Sequence, residues 1–175
     1  MPFRGGLPAL IALADAACAA AGVRCVLLTA WTTAGGEAAA GAHAAAAEGV
    51  AATRLLVAPE APHGSLFPRV AASVQHAGAG TAAAALRAGC PVVPVFFIFD
   101  QWENAASLRR AGVAQKSSRK LTSANVTPAN LAAAIKDALD PALAAAARAA
   151  ARVRAEAAEC MPRAVAHVLA ATPLW

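Results

Sequence analysis

Apolar residues recur every three to four positions from Leu7 to Ala21 (Leu7, Leu10, Ile11, Ala14, Cys18), the period of an amphipathic helix. Gly22 follows as a C-terminal cap. The pattern then changes. Val23 to Thr29 is a β-branched, apolar run that predicts a buried strand. Arg54 to Ala58 predicts a second short strand, and Pro59 and Pro62 impose an extended connection after it. Leu66 to Val70 predicts one turn of helix, and Ala71 to His76 a third strand. Gly78 to Ala88 reads as a helix of small residues closed by Gly89. Pro91 to Phe97 is almost wholly apolar and predicts a fourth strand at the centre of a sheet. Helices are expected over Gln101 to Ala111 and, after a basic loop, from Pro128 to Leu139 with Thr127 as the cap. Two more are expected, from Pro141 to Ala158 and from Arg163 to Ala170. Residues 32–50 are rich in Ala and Gly and carry no period. They predict a long variable loop, partly helical around Ala44 to Glu48.

Strands alternating with helices predict an α/β domain built on a doubly wound parallel sheet. Residues 1–175 are expected to form one domain, a usual size for a single core. Ligands of such sheets sit beyond the carboxyl ends of the strands. That rule selects Trp31, the segment from Pro59 to His63, the segment from His76 to Thr81, and Asp100 with Gln101.

Composition narrows the class. Apolar residues make up 59% of the chain and charged residues 14%, which excludes intrinsic disorder. Alanine supplies roughly a third of the residues and little buried area each, so the core rests on Val, Leu, Ile and Phe. The run from Gly89 to Phe99 is too short for a membrane span and is broken by Pro91 and Pro94. Asp15 interrupts the apolar run behind Arg4, against a signal peptide. A cytoplasmic protein is expected, with peripheral association at membranes as the variant. Cys18, Cys25, Cys90 and Cys160 contain no CxxC pair and read as free thiols. His43, His63, His76 and His167 lack metal-ligand spacing, so no metal is expected. The net charge is +5, with Arg109, Arg110, Lys116, Arg119 and Lys120 clustered. No aromatic interleaving or nucleic-acid module accompanies them, and they read as a solvated face.

Two segments carry candidate chemistry. In Val74-Gln75-His76-Ala77-Gly78-Ala79-Gly80-Thr81 a strand ends in His76 and small residues open directly into a helix. Free N–H groups and the positive end of the helix dipole favour an anion there, most naturally a diphosphate. Thr81 adds a hydroxyl and His76 an imidazole. The segment is neither a Walker loop nor a GxGxxG fingerprint. Tight packing between strand and helix accounts equally well for its small residues. The second segment is Asp100-Gln101, just past the fourth strand. An acceptor-only carboxylate beside an amide suits sugar hydroxyls, and capping of the next helix by Asp100 is the alternative.

Taken together, these segments resemble the donor-binding signature of UDP-glycosyltransferases. The order is His-x-Gly-x-Gly-Thr (His76 to Thr81), then Leu86-Arg87-Ala88-Gly89-Cys90-Pro91, then Pro94 and Asp100-Gln101. Pro62-His63 and Leu66-Phe67-Pro68-Arg69-Val70 are most similar to the sterol 3-β-glucosyltransferase branch, and Met1-Pro2-Phe3-Arg4, Thr29-Ala30-Trp31 and Lys120-Leu121-Thr122 also fit. The resemblance implies the Rossmann-like, nucleotide-sugar-binding C-terminal half of a GT-B fold, without its first strand. It implies diphosphate binding by His76, Gly78, Ala79, Gly80 and Thr81, and sugar binding by Asp100 and Gln101. Ala61, Pro62, His63 and Trp31 would lie near the base. The implied ligand is UDP-glucose or a related UDP-sugar. Such enzymes invert the anomeric carbon by direct displacement, without a cofactor or required metal.

The sequence departs from the family pattern at several places. Ala77 stands at a usual glycine and is tolerated if its φ is negative. Ala82 lacks a hydroxyl that would help hold phosphate, Ser65 replaces an aromatic residue, and Ala84 stands where plant members place a ribose-binding Glu. The resemblance also places the acceptor-binding half and the catalytic base outside this chain. Three readings result. The chain is the donor half of a transferase acting on a sterol, lipid or other small hydroxyl acceptor. It is a non-catalytic donor subunit of a split enzyme working with a separate acceptor or membrane subunit. Or it is an inactive truncated remnant.

Overall fold

The computed structural model describes residues 6–29, 54–115, 121–122 and 124–171. In chain order the elements are α1 (Gly6–Ala21), β1 (Cys25–Leu28), β2 (Leu55–Ala58), α2 (His63–Leu66) with a 3-10 turn (Phe67–Arg69), β3 (Ser73–Gln75) and α3 (Ala79–Ala88). They continue with β4 (Val92–Phe96), α4 (Gln101–Arg110), β5 (Leu121–Thr122), α5 (Pro128–Ala138) and α6 (Pro141–Ala171).

All strand pairs are parallel. β1 pairs with β2 in register Cys25 with Leu55, and β3, β4 and β5 form a second group in that order. β4 is central, as its apolar sequence predicts, and Val92 to Val95 are all buried. Alternate residues feed opposite faces. Val92 packs with Ala82, Ala85, Ala105 and Leu108 of α3 and α4. Val93 and Val95 pack with Ala17 of α1, Leu121, and Leu131, Ala134 and Ile135 of α5. Helices on both faces of parallel strands make the doubly wound class.

α1 spans the two strand groups. Ala17 joins the β4 cluster, while Ile11 and Ala14 pack on Leu55, with Cys25, Leu27 and Val57 at the margin. The buried strand expected at Val23 to Thr29 is narrower and lies at an edge, and Val26 is exposed. Ser73 and Gln75 point inward and Val74 outward, the alternation of a half-covered edge strand.

The capping expectations hold. Gly22 and Gly89 close their helices with positive φ. Thr127 forms a full capping box with Asn130 ahead of Pro128. Two expectations change. β5, two residues long, is too short to leave a periodic signal. The two helices expected after Pro141 are one continuous helix, α6, that runs through Pro162. Its alanine-rich sequence has the highest intrinsic helix propensity, which outweighs one proline. Trp31, the loop at 32–50, and Lys116, Arg119 and Lys120 lie outside the described residues.

Gly89 does two jobs. Its φ of +64° ends α3, and a Cβ added there would lie 3.1 Å from the Cα of Arg148 on α6. Left-handed backbone costs a non-glycine residue about 1–2 kcal/mol. Gly89→Ala is therefore expected to lower stability by about 2 kcal/mol, read as a drop in the denaturant midpoint with unchanged slope.

Candidate functional site

The carboxyl ends of β3 and β4 bring the two candidate segments together. β3 ends at Gln75, and three residues later Gly78 serves as the N-cap of α3 in extended conformation. The first-turn N–H groups of a helix have no intrahelical acceptor, and Ala79, Gly80 and Thr81 supply them here. Ala79 and Gly80 are exposed and Thr81 is half-buried. A Cβ at Gly80 would meet nothing within 4 Å. Space above this helix end is open.

Gly78 matters for the placement of His76. Its backbone (φ −62°, ψ 145°) suits any residue. A Cβ there would overlap Nε2 of His76 and lie 3.0 Å from its Cδ2. The imidazole is folded down over the helix start, and a side chain at 78 would require the exposed ring to swing aside. This packing partly desolvates the ring and lowers its pKa from the ordinary 6.5. The Asp100 carboxylate opposes that shift, so the two groups are electrostatically coupled.

Ala77 overturns its sequence expectation. Its φ is +62°, and it is fully buried among Ala82, Ala85, Val92 and Ala105. The methyl is accommodated in the core while the backbone adopts a conformation that L-residues disfavour. Ala82 faces the same core, not the open space above the helix start. Gln75 is buried and donates its amide to the Ser73 Oγ, 3.1 Å away, which removes it from the site.

Asp100 occupies the N-cap position of α4 but makes no side-chain cap bond. Its Oδ2 instead accepts from Asn104 Nδ2 at 3.0 Å. The same Nδ2 donates to the Ala77 carbonyl at 3.0 Å. Asn104 thus ties the His76-Ala77 loop to the Asp100 loop. Sequence reasoning missed it; the available signal was its position one helical turn after Asp100. Gln101 also differs from expectation. Its Oε1 accepts from the N–H groups of Phe97 (2.8 Å) and Ile98 (3.2 Å). That acceptor is committed to holding the loop.

The third candidate segment follows β2. Pro62 caps α2, and His63 stacks on Phe67 with centroids 4.7 Å apart. Phe67 belongs to the same cluster as Ala82 and Ala85 of α3, which seats α2 against that helix. Ala61 and His63 are half-buried and Pro62 is exposed. An apolar groove of about 260 Å³ runs between α3 and α4 from Ala79 past Asn104 to Leu86 and Leu108. Arg109 is half-buried on α4, and Arg110 pairs with Glu103 at 2.9 Å. No group of three or more metal-ligating side chains occurs among the described residues. No helix there is long and apolar enough to cross a membrane.

The comparisons with known proteins bear on this arrangement. The family model of the erythromycin biosynthesis protein CIII-like C-terminal domain matches residues 27–172. The O-mycaminosyltylonolide 6-deoxyallosyltransferase of Streptomyces fradiae is 45% identical over 93 residues, 51% of this chain and 21% of that protein. A sterol 3-beta-glucosyltransferase of Aspergillus clavatus is 36% identical over 99 residues, 53% of this chain and 6% of that protein. The crystal structure of the glycosyltransferase VinC in complex with dTDP superposes with a TM-score of 0.54 at 26% identity. It covers 63% of this chain and 27% of VinC. The chain therefore spans about a fifth or less of the length of these two curated relatives.

Removing the Asp100 charge is expected to lower the pKa of His76 further, because that carboxylate raises it. Asp100→Asn should move the imidazole titration to lower pH, followed by the ring proton shifts in NMR. An unchanged titration would show that the two groups do not interact.

Proposed function

This chain belongs to the family of the erythromycin biosynthesis protein CIII-like C-terminal domain and is the C-terminal domain of a GT-B glycosyltransferase, and we propose that it binds a nucleotide-diphosphate sugar for inverting transfer of a hexose. The donor proposed first is UDP-glucose, and the acceptor a sterol, lipid or other small hydroxyl compound. The observation that carries this reading is the convergence of His76, the exposed first turn of α3 and Asp100 at the carboxyl ends of adjacent strands β3 and β4.

In this scheme the diphosphate sits over the N–H groups of Ala79, Gly80 and Thr81, beside His76. As the bond to the anomeric carbon breaks, negative charge grows on the departing diphosphate. Oriented N–H donors and the helix dipole meet that charge without reorganising, which is where fixed dipoles help most. The reading requires no metal ion. Asp100 accepts from sugar hydroxyls, and the Gln101 amide donates to them. The base segment Ala61, Pro62 and His63 flanks the helix that holds the diphosphate. The base that deprotonates the acceptor belongs to another part of the enzyme.

A second reading of the donor is a thymidine diphosphate sugar. The complex of VinC with dTDP favours it. Both nucleotides present the same diphosphate, so the site at α3 serves either.

Calorimetric titration with UDP, UDP-glucose and dTDP tests the reading. His76→Ala should weaken all three, while Asp100→Ala should weaken UDP-glucose by about tenfold and leave UDP nearly unchanged. An Asp100→Ala effect equal on UDP and UDP-glucose would remove Asp100 from the sugar site. Diphosphate affinity should rise as pH falls through the lowered pKa of His76, below 6.5, because the imidazolium attracts the anion. The His76→Gln variant should lose that dependence.

A further inference from the structure

The fold brings together two thiols that the donor site does not use. Cys18 lies in the last turn of α1, and Cys25 opens β1. Between them α1 closes in a tight turn. The Val23 N–H donates to the Cys18 carbonyl at 3.0 Å, with Gly22 at positive φ. The Cys25 N–H donates to the Arg54 carbonyl at 2.8 Å, which fixes the start of β1 against β2. Backbone bonds thus hold both cysteines in place, and their side chains hydrogen-bond each other. Both are free thiols; Cys18 is buried and Cys25 half-buried.

Two charges complete the cluster. Asp15, one helical turn before Cys18, faces Arg54 at 4.0 Å. The hydrogen bond from Cys25 lowers the Cys18 pKa; burial and Asp15 oppose the shift, and Arg54 assists it. The same bond, burial and the charge on Cys18 raise Cys25. The pair therefore parts with one proton readily and keeps the second between its sulfurs. A thiolate held against a second sulfur is poised for disulfide formation. Cys90 is the contrast. Burial raises its pKa, and its thiol donates to the Pro91 carbonyl at 3.6 Å.

We propose that Cys18 and Cys25 are a reversible redox pair that closes to a disulfide under hydrogen peroxide and locks the end of α1 to the start of β1. The oxidant meets Cys25, the more exposed of the two. The retained proton passes to Cys18 as the Cys25 sulfur attacks a peroxide oxygen. The O–O bond breaks, Cys25 becomes a sulfenic acid, and the departing hydroxide takes up the proton released earlier to form water. The Cys18 sulfur then attacks the Cys25 sulfur. The S–S bond forms, the S–O bond breaks, and a second water leaves with the Cys18 proton. The two thiols lose two electrons and two protons, and the peroxide becomes two waters. The joint matters because α1 ties the strand groups together. Ala17 packs on β4, while Ile11 and Ala14 pack on Leu55. In a reducing compartment such a bond is transient and responds to oxidant. The pair lies at the amino end of β1, and its chemistry is independent of the donor reading.

The test treats the reduced full chain with hydrogen peroxide, blocks the remaining thiols and maps the digest by mass spectrometry without reduction. Trypsin cuts after Arg24, between the two cysteines, so peptides 5–24 and 25–54 stay joined only through a disulfide. Two of the four thiols should be lost, with a mass decrease of about 2 Da and recovery in dithiothreitol. The melting temperature should rise by about 5 °C on oxidation and return on reduction. In Cys18→Ser, Cys25 should persist as a sulfenic acid that dimedone labels. The map of the unsubstituted chain decides the matter even where that variant fails to fold. Absence of the joined peptides overturns the proposal, as does Cys25 carried on to sulfinic acid or joined to Cys90, Cys160 or a second copy. A melting temperature that oxidation leaves unchanged or lowers overturns the lock.

Discussion

The burial of β4 on both faces is the constraint from which the site follows. A strand with Val92 toward α3 and α4, and Val93 and Val95 toward α1 and α5, has no freedom to shift by one residue. A slip would exchange the two faces and empty both cores at once. The carboxyl end of β4 is therefore fixed relative to α3 and α4. The loop from Phe97 to Asp100 departs from an immovable point, and the Gln101 side chain turns that fixed origin into a fixed loop. Asn104 carries the constraint one step further. It joins the β4 loop to the β3 loop through two hydrogen bonds from a single amide nitrogen.

Much of this was legible in the sequence, because the information is local. Period, capping residues and an unbroken apolar run gave the order of strands and helices and the central place of β4. The candidate residues His76, Gly78 and Asp100 came from the rule that ligands gather at strand ends. What was not legible depends on side chains meeting across distance. Asn104 looks like an ordinary exposed helical residue until β3 and β4 are placed side by side. The commitment of the Gln101 oxygen to its own loop has no sequence signature, since the same residue would serve equally as a ligand. Ala77 misled because alanine usually has negative φ. Its methyl is buried and its backbone takes a conformation that a sequence reading has no means to see. β5 escaped because two residues carry no period.

The division of labour between the two faces is also instructive. The face with α3 and α4 carries alanine at most of its contact positions, which lets the helices approach the sheet closely. Close approach keeps the start of α3 within reach of the loops from β3 and β4. The opposite face, with α1 and α5, is filled by larger aliphatic side chains and carries none of the candidate residues. Alanine richness, which adds little to the hydrophobic driving force, thus contributes by geometry.

The fit between His76 and Gly78 has a consequence for how this site can change. A Cβ at position 78 collides with the imidazole, but only while the imidazole is there. Replacing Gly78 first carries a steric penalty, whereas replacing His76 with a small residue first removes it. The coupling between the two positions is mutual, so the order of substitution matters. A lineage that has lost the imidazole is free to fill position 78, and once that space is filled a returning histidine has to point away from the start of α3. What glycine at 78 preserves is the ring's place over the start of α3, not the histidine itself.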